Sequence, residues 1–192
     1  MVRKYDSRKR RIFAEQTRQD ILKAALKLHW EGVTELEALA REAGCSVATL
    51  RKHFPNKEVL YKNCTSAFAE SLEMPDLAIL SEVSNSKRRI ERCVSELCRI
   101  HEAMLGYAWL GVHHRKDSPT LESVMRAYEG LTDAICDLIL PADSPGYPLA
   151  RGLLDFLSYR ALRLSASLSE KRSKEELTKL LQQLVIPLGE RE

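Results

Sequence analysis

Apolar residues recur every three or four positions along most of the 192-residue chain, and no stretch sustains the period-two alternation of a strand. Ile21, Leu22, Ala25, Leu26 and Leu28 form the first stripe, with Arg18, Gln19, Lys23 and Lys27 off it. Leu36, Leu39, Ala40 and Ala43 form a second, and Val47, Leu50 and Phe54 a third. A fourth runs through Val59, Leu60, Cys64, Ala67, Phe68 and Leu72, until Met74-Pro75 breaks it. Longer stripes follow: Ile90 to Met104, Val124 to Leu138, Leu149 to Leu168, and Leu177 to Val185. The expected architecture is all-α, with about nine helices.

The stop and start signals divide these stripes. Gly32 and Gly44 supply the left-handed residue that ends a helix cheaply. Thr34-Glu35-Leu36-Glu37 reads as a capping box, with Thr34 accepting from the N–H three residues on. Ser46 caps the next helix, Pro55 stops it and Asn56 caps its successor. Ser118-Pro119 is a cap followed by proline at the first helical position. Pro141 to Pro148 is a loop, Ser173-Lys174-Glu175-Glu176 reads as a second capping box, and Pro187 closes the last helix.

Between Leu36 and Phe54, two short helices are joined by a turn centred on Gly44. This is the spacing of a helix-turn-helix, whose second helix enters the DNA major groove. Burying Val47, Leu50 and Phe54 leaves Ala48, Thr49, Arg51 and Lys52 facing outward. Arginine and lysine pair with guanine edges or phosphates, and threonine meets a thymine methyl or a phosphate. Lys57 opens the following helix, where its charge opposes the helix dipole and a phosphate would relieve the conflict.

Charge sharpens this picture. Residues 1–62 hold 14 Lys/Arg against 8 Asp/Glu, whereas the rest of the chain is net acidic. A basic front suits a polyanion. The leader, residues 1–11, is charge-dense and reads as mobile; its Arg3, Lys4, Arg8, Lys9, Arg10 and Arg11 suit an arm in an adjacent minor groove. The most apolar run, residues 103–112, falls well short of a bilayer span, and no signal-peptide core precedes the first helix. Five cysteines without a C-x-x-C pair read as reduced, packed thiols of a cytoplasmic protein.

"AEQTRQDILKAALKL" followed by "TELEALAREAGCSVATLRKHFPNKEVLY" resembles the TetR family of transcriptional regulators. The matching features are Thr17-Arg18, Ile21-Leu22, Ala24-Ala25, Leu39-Ala40, Ala43-Gly44, Ser46, Thr49-Leu50, Phe54 and Lys57-Glu58, within residues 11–61. The resemblance implies a three-helix DNA-binding head at 1–56 and a larger helical body at 57–192 that binds an effector and dimerises through its last two helices. It also implies a DNA-facing set of Thr34, Ser46, Ala48, Thr49, Lys52, His53 and Lys57, with Arg51 where the family usually has tyrosine. A second departure is the shortened link "HWEGVTE", with Val33 in place of an aromatic.

The body offers less. Met104, Tyr107, Trp109, Met125, Tyr128, Phe156 and Tyr159 are the candidate lining of a pocket for an apolar or amphipathic effector, and each is also ordinary core material. Gly152, Ser158 and Ala161 leave room for close approach at a homodimer interface. His113-His114-Arg115-Lys116 reads as a solvated cationic loop. Cys98 and His101 lie one turn apart, but a third ligand is missing, so no metal and no cofactor is expected. No catalytic constellation appears, which argues against an enzyme. The expected function is a repressor on double-stranded operator DNA, released by a small-molecule effector. The alternative is a TetR-like protein acting through a protein partner, with altered DNA binding.

Overall fold

The computed structural model describes residues 7–186, and these hold helices and turns with no strand. The α-helices are α1 (Ser7–Trp30), α2 (Leu36–Glu42), α3 (Val47–His53), α4 (Lys57–Ser71), α5 (Leu77–Ser81) and α6 (Ser86–His114). They continue with α7 (Pro119–Ile139), α8 (Tyr147–Leu153), α9 (Phe156–Arg160) and α10 (Glu170–Val185). A 3-10 turn at Arg115–Asp117 precedes α7, and a π-helical turn at Ala161–Ser165 follows α9. The chain separates into two compact units. The first runs up to Ser71 and takes in Trp109–Glu122; the second comprises Leu72–Ala108 and the chain from Ser123 onward.

The core of the first unit is Ile21, Leu22, Ala25, Leu39, Ala40, Leu50, Phe54, Leu60 and Cys64, the four stripes expected from the sequence. Both glycine turns close as Schellman motifs. Gly32 (φ 80) donates to the His29 carbonyl at 3.0 Å while Val33 donates to Leu28 at 2.8 Å. Gly44 (φ 65) donates to Arg41 at 3.1 Å while Cys45 donates to Ala40 at 2.9 Å. An L side chain at either position would sit in the left-handed region that favours glycine. Asn56 caps α4 by accepting the Val59 N–H at 2.9 Å, and Ser118 caps α7 by accepting that of Leu121 at 3.2 Å.

Two local expectations change here. Residues 7–11 belong to α1, because four cations do not prevent a helix that its apolar face anchors further along; Arg3 and Lys4 lie outside the described residues. Thr34 does not cap α2. Glu35 occupies the N-cap, its side chain accepting the Thr34 N–H at 3.1 Å rather than a helix N–H, and the Thr34 hydroxyl pairs with Tyr61. His29, 2% exposed, lies against the Tyr61 ring with centroids 5.4 Å apart.

The second unit packs α6, α7, α8 and α10 around Ile90, Val94, Leu97, Ile135, Leu154, Leu177 and Leu181. Two expectations fail in its last third. The Leu149–Leu168 stripe is not one helix: it breaks at Leu154-Asp155, where Asp155 caps α9 by accepting the Leu157 N–H at 2.8 Å. The last helix starts earlier than expected. Ser169 is its N-cap, accepting the Arg172 N–H at 3.2 Å, whereas Ser173 is fully buried inside the helix. Leu149, Leu157, Leu164 and Leu180, which the periodicity placed inward, are 43–59% exposed.

Three outcomes follow from this packing. Ser46→Ala removes the cap of α3, described below, and should cost about 1 kcal/mol, read as a fall of about 2–4 °C in the thermal midpoint of the full chain. His29 and His101 are both held neutral by burial, with pKa lowered from 6.5 to about 4. The unfolded chain therefore binds these protons first, and folding stability, complete above pH 6.5, falls as pH drops toward 4. Each histidine contributes about 1.4 kcal/mol per pH unit across that window, measurable as a falling urea midpoint. Burial raises the thiols of Cys64 and Cys98 to about 12 and of Cys93 and Cys136 to about 11. A disulfide-exchange reagent should thus reach at most Cys45 in the native protein and all five thiols in denaturant.

Candidate nucleic-acid interface

The recognition element is built on one serine. Ser46 sits in extended conformation after the Gly44 turn, and its Oγ accepts the Thr49 N–H at 3.1 Å. The same Oγ lies 2.9 Å from the Thr49 hydroxyl, so the two side chains share a hydrogen bond. Leu50, fully buried, fastens the helix from beneath, and Val47 packs beside it. Arg18 secures the end of α3 from α1: its guanidinium lies 4.9 Å above the Phe54 ring and donates to the Asn63 side-chain oxygen of α4. Asn63 is itself held by donating to the Val59 carbonyl at 2.7 Å.

This anchoring decides what faces solvent. Ala48, Arg51, Lys52 and Lys57 are exposed, and Thr49 and His53 are half-buried. Among the described residues Arg51 and Lys52 have no acidic partner, whereas Lys27 is neutralised by Glu42 at 2.6 Å. Arg51, Lys52 and His53 occupy the last turn of α3, where the helix dipole favours positive charge. Of the expected DNA-facing set, α3 and its cap bring together Ser46, Ala48, Thr49, Arg51, Lys52 and His53. Lys57 follows in the first turn of α4. Thr34 is half-buried with its hydroxyl engaged by Tyr61.

Some residues of this unit carry weight that the sequence reading did not assign. Glu58, next to Lys57, accepts the Thr120 N–H at 3.2 Å, and the hydroxyls of Ser118 and Thr120 hold its carboxyl below the usual range against the opposing effect of burial. Tyr61 packs with Leu110 and Leu121. Residues this far apart in sequence leave no local signal of their pairing.

In the second unit, three of the candidate effector residues, Tyr128, Phe156 and Tyr159, meet around a histidine. His101 Nε2 is 2.9 Å from the Leu154 carbonyl, which can only accept, so this nitrogen carries the proton. Nδ1 therefore accepts from the Tyr128 hydroxyl. The Tyr128, Phe156 and Tyr159 rings surround the imidazole at centroid distances of 5.6, 6.0 and 5.3 Å. Met104 and Met125 are buried, and Tyr107 is half-buried. Trp109 belongs to the first unit, with its ring 4.1 Å from that of His113. Beside the histidine, Glu102 accepts from Tyr159 at 2.6 Å and from Arg163 at 2.7 and 2.8 Å. Those bonds to Arg163 and Tyr159 hold the Glu102 carboxyl below its usual range, with burial opposing them. With both ring nitrogens of His101 committed, Cys98 and His101 are not arranged as metal ligands. Among the described residues no group of three or more His, Cys, Asp or Glu side chains is placed to hold a metal. No helix there is long and apolar enough to cross a membrane.

Comparison with known proteins agrees with this geometry. Residues 21–64, from the middle of α1 into α4, match the family model of the bacterial regulatory proteins, tetR family. A solved transcriptional regulator from Rhodococcus sp. Rha1 is 19% identical, superposes with a TM-score of 0.55, and is matched over 89% of this chain and 95% of its own. NalD, the secondary repressor of the MexAB-OprM multidrug efflux pump in Pseudomonas aeruginosa, is also 19% identical. Its TM-score is 0.56, over 91% of this chain and 99% of its own. At such identity the likeness establishes the fold. No curated protein matches the chain. The segment that builds the helix-turn-helix is thus the part of the chain that is similar to the bacterial regulatory proteins of the tetR family.

Proposed function

We propose that the protein is a homodimeric repressor that binds a near-palindromic operator through α3 and releases it when a small molecule enters the body. The observation that carries this reading is the outward face of α3. Ala48, Arg51 and Lys52 are exposed there on a capped, firmly packed helix, and neither cation has an acidic partner among the described residues. The head is 1–56 and the body 57–192 in this reading, with Ser46, Thr49, His53 and Lys57 supporting contacts to the phosphate backbone. The protein works where DNA is, in the cytoplasm.

The exposed leucines of α8–α10 support the dimer. Leu149, Leu157 and Leu164, with Leu180 of α10, are apolar surface that a second copy would remove from water. Added atoms at Gly152 meet nothing within 4 Å, which leaves space for a partner helix. A two-fold axis then presents two α3 helices to half-sites about 34 Å apart. The effector is apolar or amphipathic and enters among the aromatic side chains around His101. There it competes for the hydrogen bond that ties α6 to the α8–α9 break. An effector acts only through its differential affinity for two states, so it favours the state whose heads fit the operator poorly.

Fluorescence anisotropy of the full-length protein on DNA flanking its own gene, titrated against unrelated DNA at several salt concentrations, tests this. The expected result is binding at least about a thousandfold tighter to one segment than to unrelated DNA, by a species with the mass of two chains. Equal affinity for every DNA tested, or a monomer on the operator, would overturn the reading.

A further inference from the structure

Resting on the DNA-binding reading, we infer that α3 divides its two exposed cations between two tasks. Lys52 reads a guanine in the major groove, and Arg51 clamps a backbone phosphate without reading sequence. Burial fixes the inward direction of the helix between Val47, half-buried, and Leu50, fully buried. At about 100° per residue, Lys52 points almost opposite to that direction, with Ala48 and Thr49 about 50° to either side. Arg51 and His53 fall on the two flanks, roughly at right angles to the outward axis. Ala48, Arg51 and Lys52 are all open and Thr49 and His53 half-covered, so direction on the helix, not exposure, separates the two cations.

Position then dictates partner. A helix lying in the major groove turns its outward axis to the base edges and its flanks to the two phosphate walls. A lysine on the outward axis meets acceptors best at guanine, the one base with two adjacent acceptors, O6 and N7, on that edge. Its neighbours cannot supply a competing cation. Ala48 presents only a methyl, and the Thr49 hydroxyl is engaged by Ser46 at 2.9 Å. A guanidinium on the flank instead finds the phosphate oxygens, which match its planar fork and are the same for every sequence.

Selection of binding sites from a random double-stranded DNA pool, followed by salt titration on the selected site, distinguishes the two roles. The native protein, Lys52→Gln, Lys52→Arg and Arg51→Ala are compared, with circular dichroism melts confirming that these exposed substitutions leave the fold intact. Glutamine pairs with adenine as lysine does with guanine, so Lys52→Gln should replace one guanine by adenine in each half-site, and Lys52→Arg should keep the guanine. Arg51→Ala should select the native sequence unchanged, bind every DNA more weakly, and lower the slope of log K against log salt by about 2 for a dimer. The inference is overturned if the native protein selects a site but Lys52→Gln keeps the guanine. It is overturned equally if Arg51→Ala changes the selected sequence or leaves the salt slope intact. A native protein that selects nothing from the pool would instead sink the DNA-binding reading, and this inference with it.

Discussion

The left-handed backbone at Gly44 sets the angle at which α3 departs from α2. The bonds from Gly44 to Arg41 and from Cys45 to Ala40 spend the last carbonyls of α2. The turn therefore ends one helix and delivers Ser46 in extended conformation to begin the next. Leu50 then reaches the core shared with Leu39 and Ala40, and the opposite face is obliged to point outward. The exposed cations follow from this turn rather than from any contact of their own. Gly44 has open space around its Cα, so conformation, not crowding, makes glycine the suitable residue.

The second unit is organised by a different constraint, the need to satisfy buried polar groups. His101 is 1% exposed and Tyr128 8%, and each finds a partner in the other. The remaining imidazole N–H goes to Leu154, whose carbonyl stands at the interruption between α8 and α9. A continuous helix would have used that carbonyl internally. The break and the histidine thus account for each other. Glu102, one residue on, ties the π-helical turn back to α6 through Arg163. A buried network of this kind is stable while complete and costly when one member is displaced.

Much of the head was legible in the sequence because its signals are local. Glycine turns, the Ser46 and Asn56 caps and the apolar spacing all act within a few residues. The errors arose where a local signal had two solutions. Ser169 and Ser173 both qualify as the start of α10, and burial of Ser173 against the core decided for Ser169. Thr34 had the sequence of a capping box, yet Tyr61, distant in sequence, took its hydroxyl. The Leu149–Leu168 periodicity continues through the break because a short interruption barely changes the phase of a stripe. It also misplaced Leu149, Leu157, Leu164 and Leu180, since a stripe does not say whether its cover is its own core or another chain. His101 drew attention only as a possible ligand, because its role as a hub depends on Tyr128, Leu154 and Tyr159 arriving from other helices.

The absence of acidic partners for Arg51 and Lys52 among the described residues has a kinetic consequence. An ion pair such as Lys27–Glu42 must open before its lysine can serve another anion. The two cations of α3 need no such opening, and their helix is already folded and capped. Approach to a polyanion is then governed by diffusion in the protein's electrostatic field rather than by local rearrangement. On the DNA-binding reading proposed above, such a head samples many stretches of DNA quickly and leaves each as easily, so time spent at a site depends on the fit of the base edges and not on the speed of arrival.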